Sequence, residues 1–473
     1  MKRVNPFDWE QQFPHGGFDA VIGNPPYIRI QTLQEINPEQ VGYLKQHYQA
    51  ASSGNYDIYV VFVEKGLSLL NERGRLGFIL PTKFFATDYG EGLRKQITDR
   101  KALDEVVDFG HAQVFGGATT YTCLLFLSSQ PSDSVSYSKA SSPSTLLINS
   151  PIYRTIPGTA FTEQPWMFGT DVEKELADKI LQGSIRLIDL PADIGRGSSS
   201  GSDSVFILRR EGKEFITRQG GEQVAIEEDI LRVPVYATDF GRYSFTPKGE
   251  ETIIFPYDVT SAGYELKSEI GLQKHFPKAY KYLTGRRKEL ESRKQFKAWY
   301  SFSAPRNLNV HDNAQMLVPL LADTGLYCRF PENAARYCLM ASGGFSITVA
   351  SSHGLSLNYV LGLLNSRLLF WRLRSISNIF RGGWITCTKQ YVETLPIHII
   401  NFDDPVDKAR HNKMVQLVES MLALHKHKAA AKTQADQELY QRQIEATDHE
   451  IDALVYELYG LTSDEIATVE AAR

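Results

Sequence analysis

Two adjacent prolines close the first strongly apolar run of the chain. "FDAVIG" (18–23) leads directly into Asn24, Pro25, Pro26 and Tyr27. Neither proline has an N–H to donate, so no helix interior and no central strand can run through them. The pair therefore sets a rigid turn at the end of a buried strand. The first 130 residues then alternate strand and helix signals. "YDIYVVFVEKGLSLLNERG" (56–74) has apolar residues at helical spacing and a final glycine that predicts a cap. "RLGFILP" (75–81), "LDEVVDFG" (103–110) and "TYTCLLFLS" (120–128) read as three more strands, with a helix over 88–101. This order predicts a mostly parallel α/β sheet with short connections.

A chain of 473 residues exceeds one ordinary core, which predicts two or three domains. The serine-dominated stretch 128–146 reads as a linker or surface excursion. The expected divisions are 1–130 for the sheet domain, 131–185 for a linker with a short helix, 186–400 for an α+β domain of short aromatic-rich strands, and 401–473 for a helical hairpin. In the last, Met414, Leu417, Val418, Met421 and Leu424 form one apolar stripe. Ile444, Ile451, Leu454, Val455 and Leu458 form a second, which Gly460 ends. The net charge of −4 gives no global attraction to nucleic acid, so any such contact must come from local patches. Cys123, Cys328, Cys338 and Cys387 contain no CxxC pair and read as reduced thiols, with no disulfide and no metal site. His425 and His427 read as a solvated helix face. No apolar run approaches a membrane span, and a cytoplasmic protein is expected.

The turn itself suggests chemistry. The Asn24 side chain and the Pro25 carbonyl offer two acceptors, Pro26 stiffens the backbone, and Tyr27 offers a flat face. Two converging acceptors suit an exocyclic amine with two N–H groups, and the ring suits a stacked base. An adenine amino group is a poor nucleophile because its lone pair is delocalised into the ring. Acceptors drawing on both N6 protons favour a more tetrahedral nitrogen, which is catalysis by positioning and fixed dipoles. A base inside a duplex is out of reach, so it must be flipped out and held by stacking.

"NPPY" after "FDAVIG" resembles motif IV of the amino-group DNA methyltransferases, in particular the adenine-N6 enzymes. "GNYDIYVVFVEKGLSLLNERGRLGFILPTKFF" is similar to the helix and strand that follow that motif in restriction-modification methyltransferases. "VVDFGHAQVFGGATTYTCLLFL" is similar to their later motif, which implies Phe115 as a second stacking face for the flipped adenine. The resemblance implies a partial Rossmann-like methyltransferase sheet, double-stranded DNA as substrate, and S-adenosylmethionine as methyl donor. In that family a glycine loop and an acidic residue that hold the donor precede the motif. The 23 residues before Asn24 contain a Gly-Gly turn and no strand–loop–helix unit. The donor pocket is therefore expected to be mostly absent, with Asn24 at its edge and an apolar edge left on the "FDAVIG" strand. The remainder is expected either in a longer enzyme or in a separately encoded partner that supplies the N-terminal half.

Two basic stretches predict DNA contacts. Residues 267–306 hold 11 Lys/Arg against 3 Asp/Glu, with aromatic residues interleaved. Residues 365–390 hold 5 basic residues and no acidic one. Arg286, Arg287, Lys294, Arg306, Arg374, Arg381 and Lys389 come from these stretches, and Arg196 from "ADIGRGSSSGSDSVFI". A solvated helix face accounts equally well for "RRKELESRK". These segments are similar to pieces of the target-recognition domain of type IIG-like restriction-modification methyltransferases, and "EIDALVYELYGLTSDEI" to their usual ending. The combined reading is an adenine-N6 DNA methyltransferase of a restriction-modification or phage-defence system, incomplete as an isolated chain. The alternative is a non-catalytic DNA-specificity fragment or subunit. An endonuclease is the weakest reading, since "EGK" (211–213) with Asp203 is better explained as a hairpin turn.

Overall fold

The computed structural model describes all residues except 1–6, 8, 14–15, 53, 111–113, 116–120, 141, 149, 167, 170, 213, 219, 351–352, 378–382 and 472–473. The chain forms two compact units, one within residues 1–170 and one over 171–377 and 384–473.

The first unit is built on a six-stranded sheet. Its strands are β1 (Phe18–Gly23), β2 (Leu70–Pro81), β3 (Leu103–Asp108), β4 (Thr122–Ser128), β5 (Ser134–Lys139) and β6 (Arg154–Pro157), in the order β1-β2-β4-β3-β5-β6. Only β1–β2 and β3–β5 are parallel. The sheet is thus mixed, where a mostly parallel one was expected. The cause lies between β3 and β4, where the described residues supply no crossover helix, so the chain returns antiparallel and β4 sits between β2 and β3. The serine-rich segment is also not a linker. "SVSYSK" is β5, with Val135 and Ser138 buried, and β6 pairs beside it. Its serines alternate with larger residues, and a ladder is formed by backbone groups whatever the side chains.

The expected helix–glycine-cap pair resolves differently. The helix runs Tyr59–Ser68 and buries Tyr59, Val60, Val61, Val63 and Leu67. Gly74 lies inside β2, where a Cβ would come 2.5 Å from the Phe18 carbonyl oxygen. Register jumps there, with Phe18 opposite Leu70 but Ala20 opposite Arg75. The glycine therefore serves a bulge where β2 passes β1 closely. Beyond the bulge, Leu76, Phe78 and Leu80 alternate inward, opposite the buried Cys123, Leu125 and Leu127 of β4.

β1 was expected to be an apolar strand, buried in type but left with an unpaired edge. It is an edge strand with Ile22 84% exposed, and no described residue pairs with its outer side. On the inner side, the segment after β2 is tied down by Arg94, whose side chain is buried. Its guanidinium donates to the carbonyls of Phe84 (2.6 Å), Thr87 (2.8 Å) and Glu163 (2.8 Å).

In the second unit, the short strands Gln223–Val224, Glu214–Thr217, Ile207–Glu211, Glu251–Ile254, Leu231–Val235 and Tyr337–Leu339 form one sheet in that order. Cys328–Arg329, Met316–Val318, Phe345–Val349 and Ala192–Arg196 form another. The long helices Pro405–Ala430 and Gln434–Leu458 pair, burying Met414, Val418 and Met421 from the first and Ile444, Ile451, Leu454 and Val455 from the second. Gly460 ends the second helix with φ +64. The pair is packed on the helix Leu357–Asn365 within this unit. There a Cβ on Gly362 would lie 2.5 Å from the Met414 sulfur. His427 is exposed as expected, but His425 is half-buried beside the Tyr243 ring, and burial lowers its pKa to about 4.

One buried network organises the start of this unit. The chain at 197–200 lies between 303–306 on one side and 339–344 on the other. The Ser198 hydroxyl accepts from Arg306 N (2.9 Å), and His311 bonds Ser346 Oγ (2.6 Å) and the Arg196 carbonyl (3.2 Å). A carbonyl only accepts, so His311 Nε2 carries the proton and Nδ1 accepts from Ser346.

Two stability tests follow from these contacts. Arg94→Ala leaves three carbonyls without their donor, and urea denaturation should show the first unit losing about 3 kcal/mol; a loss near zero would contradict the assignment. Burial depresses the His311 pKa to about 4, so the ring stays neutral in the fold while the unfolded chain protonates near 6.5. Its contribution is complete above pH 6.5 and is lost as pH falls toward 4, on the order of 3 kcal/mol at full extent. Comparing wild type with His311→Asn at pH 7 and pH 4.5 isolates this slope, which the variant should lack.

Candidate active site

The Asn-Pro-Pro-Tyr turn leaves the carboxyl end of β1, the end at which open α/β sheets bind ligands. Parallel pairing sets Gly23 opposite Phe78, which brings the turn alongside the end of β2. Pro25 is buried, while Asn24 and Pro26 are exposed. No described residue donates to Asn24 Oδ1 or to the Pro25 carbonyl, so neither acceptor is taken up within the described protein. The chain leaving the turn is also pinned. Ile58 N donates to the Ile28 carbonyl and Ile30 N to the Tyr56 carbonyl, both at 2.9 Å. The turn is thus clamped at both ends.

Tyr27 is half-buried, and its hydroxyl donates to the Ile79 carbonyl of β2 at 3.0 Å. Burial, with a smaller effect from Cys123, raises its pKa to about 12, so the hydroxyl remains a donor. The hydroxyl is consumed in positioning, which leaves the ring as the group able to meet a ligand. Tyr59, fully buried, meets Tyr27 edge-on at 6.2 Å, and its own hydroxyl lies 2.9 Å from that of Tyr89. Sequence reading took Tyr59 for helix core and missed this support, because a tyrosine on an apolar stripe looks like any core residue.

Phe115 is half-buried and lies 6.5 Å from Tyr27, with an interplanar angle of 63°. The structure therefore brings together the two rings that the sequence paired. Their tilt rules out a sandwich between parallel faces. One ring can stack on a planar ligand while the other meets it by edge. Asp108, also missed, anchors the start of this loop. Its carboxylate accepts from Gly110 N (2.8 Å) and from the Tyr137 hydroxyl (3.2 Å). Gly110 has φ +52, and an Asp followed two residues later by such a glycine is a legible turn signal.

Asn24 follows β1, whose outer side pairs with no other strand among the described residues. Among the described residues no cluster of three or more His, Cys, Asp or Glu could hold a metal ion. The four cysteines are buried free thiols.

The DNA-contact candidates among the described residues lie in the second unit and divide by their partners. Arg286 is ion-paired with Glu222. Arg287 bonds Glu291 at 2.8 Å and lies 5.0 Å from the Trp299 ring. Both charges are therefore already met within the protein. Arg196, Lys294 and Lys389 are exposed and Arg306 is half-buried, and none of the four has an acidic partner among the described residues. The chain segments at Arg196 and Arg306 are held together by the Ser198–His311 network. Arg374 is half-buried on the helix Arg367–Ile376, and Arg381 lies outside the described residues. The "EGK" segment closes an antiparallel hairpin, with Glu211 opposite Glu214 and Gly212 at φ +65; Lys213 lies outside the described residues. Glu211 pairs with Arg209, and Asp203 accepts from the Ser200 hydroxyl.

Comparison with known proteins adds four findings. Residues 1–115 match the Eco57I restriction-modification methylase family model. The type II restriction enzyme and methyltransferase RM.Eco57I of Escherichia coli is 26% identical over 494 residues, spanning 99% of this chain and 48% of that protein. The type II methyltransferase M.BstVI of Geobacillus stearothermophilus is 36% identical over 103 residues, 22% of this chain and 18% of that one. The chain thus spans about half of the first relative and less of the second. Among solved structures, the type IIL restriction-modification enzyme MmeI in complex with DNA aligns over 98% of this chain and 58% of its own, with TM-score 0.60 and 13% identity, and so shares the fold. Along nearly its whole length, the chain resembles the type IIG-like restriction-modification methyltransferases.

Proposed function

We propose that this chain carries the adenine-handling and DNA-reading portion of an S-adenosylmethionine-dependent DNA adenine-N6 methyltransferase of a restriction-modification system. The observation that supports it most is the pair of acceptors at Asn24 and Pro25, neither taken by a described donor, beside the fixed Tyr27 ring. In this reading double-stranded DNA is the substrate, and a flipped adenine stacks on Tyr27 with Phe115 against its edge. Asn24 Oδ1 and the Pro25 carbonyl accept the two N6 protons, which localises the nitrogen lone pair. Preorganised acceptors of this kind cost no reorganisation during the reaction. S-adenosylmethionine would be held chiefly by a complementary half whose strands extend the sheet from the outer edge of β1, either in a longer chain or in a separate partner. The exposed Ile22 on that edge favours such an extension.

That same unpaired edge also favours the second reading, a DNA-specificity fragment without its own methyl transfer. One assay separates them. The chain is combined with a protein supplying the glycine-loop half, and N6-methyladenine is measured in digested DNA. Methyl transfer should appear, and Asn24→Ala should lower its rate roughly 100-fold or more while leaving DNA affinity near wild type. Transfer indifferent to that substitution would remove Asn24 from the active site, and binding without transfer would favour the specificity fragment. Tyr27→Phe keeps the stacking face but loses the bond to Ile79, so its rate should fall less than that of Tyr27→Ala.

A further inference from the structure

The basic stretch 267–306 looks uniform in sequence, but the structure separates its cations into two kinds. Lys267 pairs with Asp258, Arg286 with Glu222 and Arg287 with Glu291. Arg293 is spent on the backbone. It donates to the carbonyls of Leu290 (2.7 Å), Ser200 (2.8 Å), Ser301 (2.7 Å) and Trp299 (2.6 Å), and burial lowers its pKa. The loop that follows is locked from below, because the buried Ser301 hydroxyl accepts from Lys297 N (3.2 Å) and Ala298 N (3.1 Å). On this fixed backbone, Lys294, Gln295, Phe296 and Lys297 all face solvent. Phe296 is 37% exposed, with the Arg293 guanidinium 5.3 Å from its ring. Neither lysine has a carboxylate partner among the described residues.

A partly exposed aromatic ring between two lysines without carboxylate partners, on a loop held by a half-buried arginine, joins an apolar face to flanking positive charge on a fixed backbone. It matches the surface of duplex DNA, where phosphates alternate with the apolar edges and faces of sugars and bases. We propose that the loop 294–297 is a groove-docking wedge for duplex DNA, with Lys294 and Lys297 on flanking phosphates and Phe296 inserted between them. This rests on the DNA-enzyme reading above and adds to it the element that seats the second unit on the duplex. Because the loop is already ordered, little conformational entropy is lost on docking.

The test is equilibrium binding of the full chain to a random-sequence 30-base-pair duplex across a salt series. Lys294→Ala/Lys297→Ala should weaken binding about tenfold near 100 mM salt. It should also lower the slope of log affinity against log salt by about 2, one counterion-release contribution per lysine. Phe296→Ala should weaken binding about fivefold with the slope unchanged, and Phe296→Trp should restore it. Thermal melting of the lysine variant should match wild type, since both side chains are exposed. Wild-type affinity and slope in all of these variants would overturn the wedge alone. Failure of the unaltered chain to bind any duplex would overturn the DNA-enzyme reading as well.

Discussion

Among the described residues strand β1 pairs with a neighbouring strand along one side only, and the geometry of the Asn-Pro-Pro-Tyr turn depends on that pairing. Its parallel register on β2 decides where the turn begins, with Gly23 opposite Phe78. The Tyr27 hydroxyl then reaches back to Ile79, one residue further along the same neighbour. The bridge between Arg29 and Asp57 fixes the exit. Two prolines remove most of the remaining backbone freedom. Positioning chemistry loses rate steeply with small displacements, so a stiff turn stapled at three points suits a group that acts by accepting hydrogen bonds in place.

The second unit shows how poorly a count of basic residues reports available charge. Arg232 is bidentate with Asp312 and sits 3.6 Å from the Phe255 ring, Arg242 reaches Asp448 and the Asn365 carbonyl, and Arg367 holds Asp452. These arginines fasten segments far apart in sequence. Their long stems cover apolar surface while the planar heads satisfy carbonyls and carboxylates. Among the described candidates, the exposed charge without a carboxylate partner is carried by Lys294, Lys297 and Lys389 and by Arg196 at the end of its strand.

Much of the first unit was legible in its sequence. Strands over 18–23, 75–81, 103–108 and 122–128 match their apolar runs, and the ring pair Tyr27–Phe115 follows from motif context. Sheet direction was not legible, because it depends on which strands meet in space. β5 was hidden by its serines, although "SVSYSK" alternates as a half-buried strand must. Gly74 looked like a cap because a glycine required by a close backbone approach is the same letter as one required by a left-handed turn. Arg293, Arg94 and Asp108 act on backbone groups that pattern reading cannot see. In the second unit, strands of two to five residues carry too few periods to be assigned from alternation alone.

An edge strand exchanges its amide hydrogens through local opening more readily than the strands inside the sheet, because fewer contacts break when it lifts away. The Asn-Pro-Pro-Tyr turn therefore rides on an edge strand of its sheet. Any strand that pairs with the outer side of β1 adds a second ladder and narrows those fluctuations. Assembly and active-site order are then thermodynamically linked, since a partner that binds only the closed strand favours the positioned turn, and a ligand seated in the turn favours the partner in equal measure.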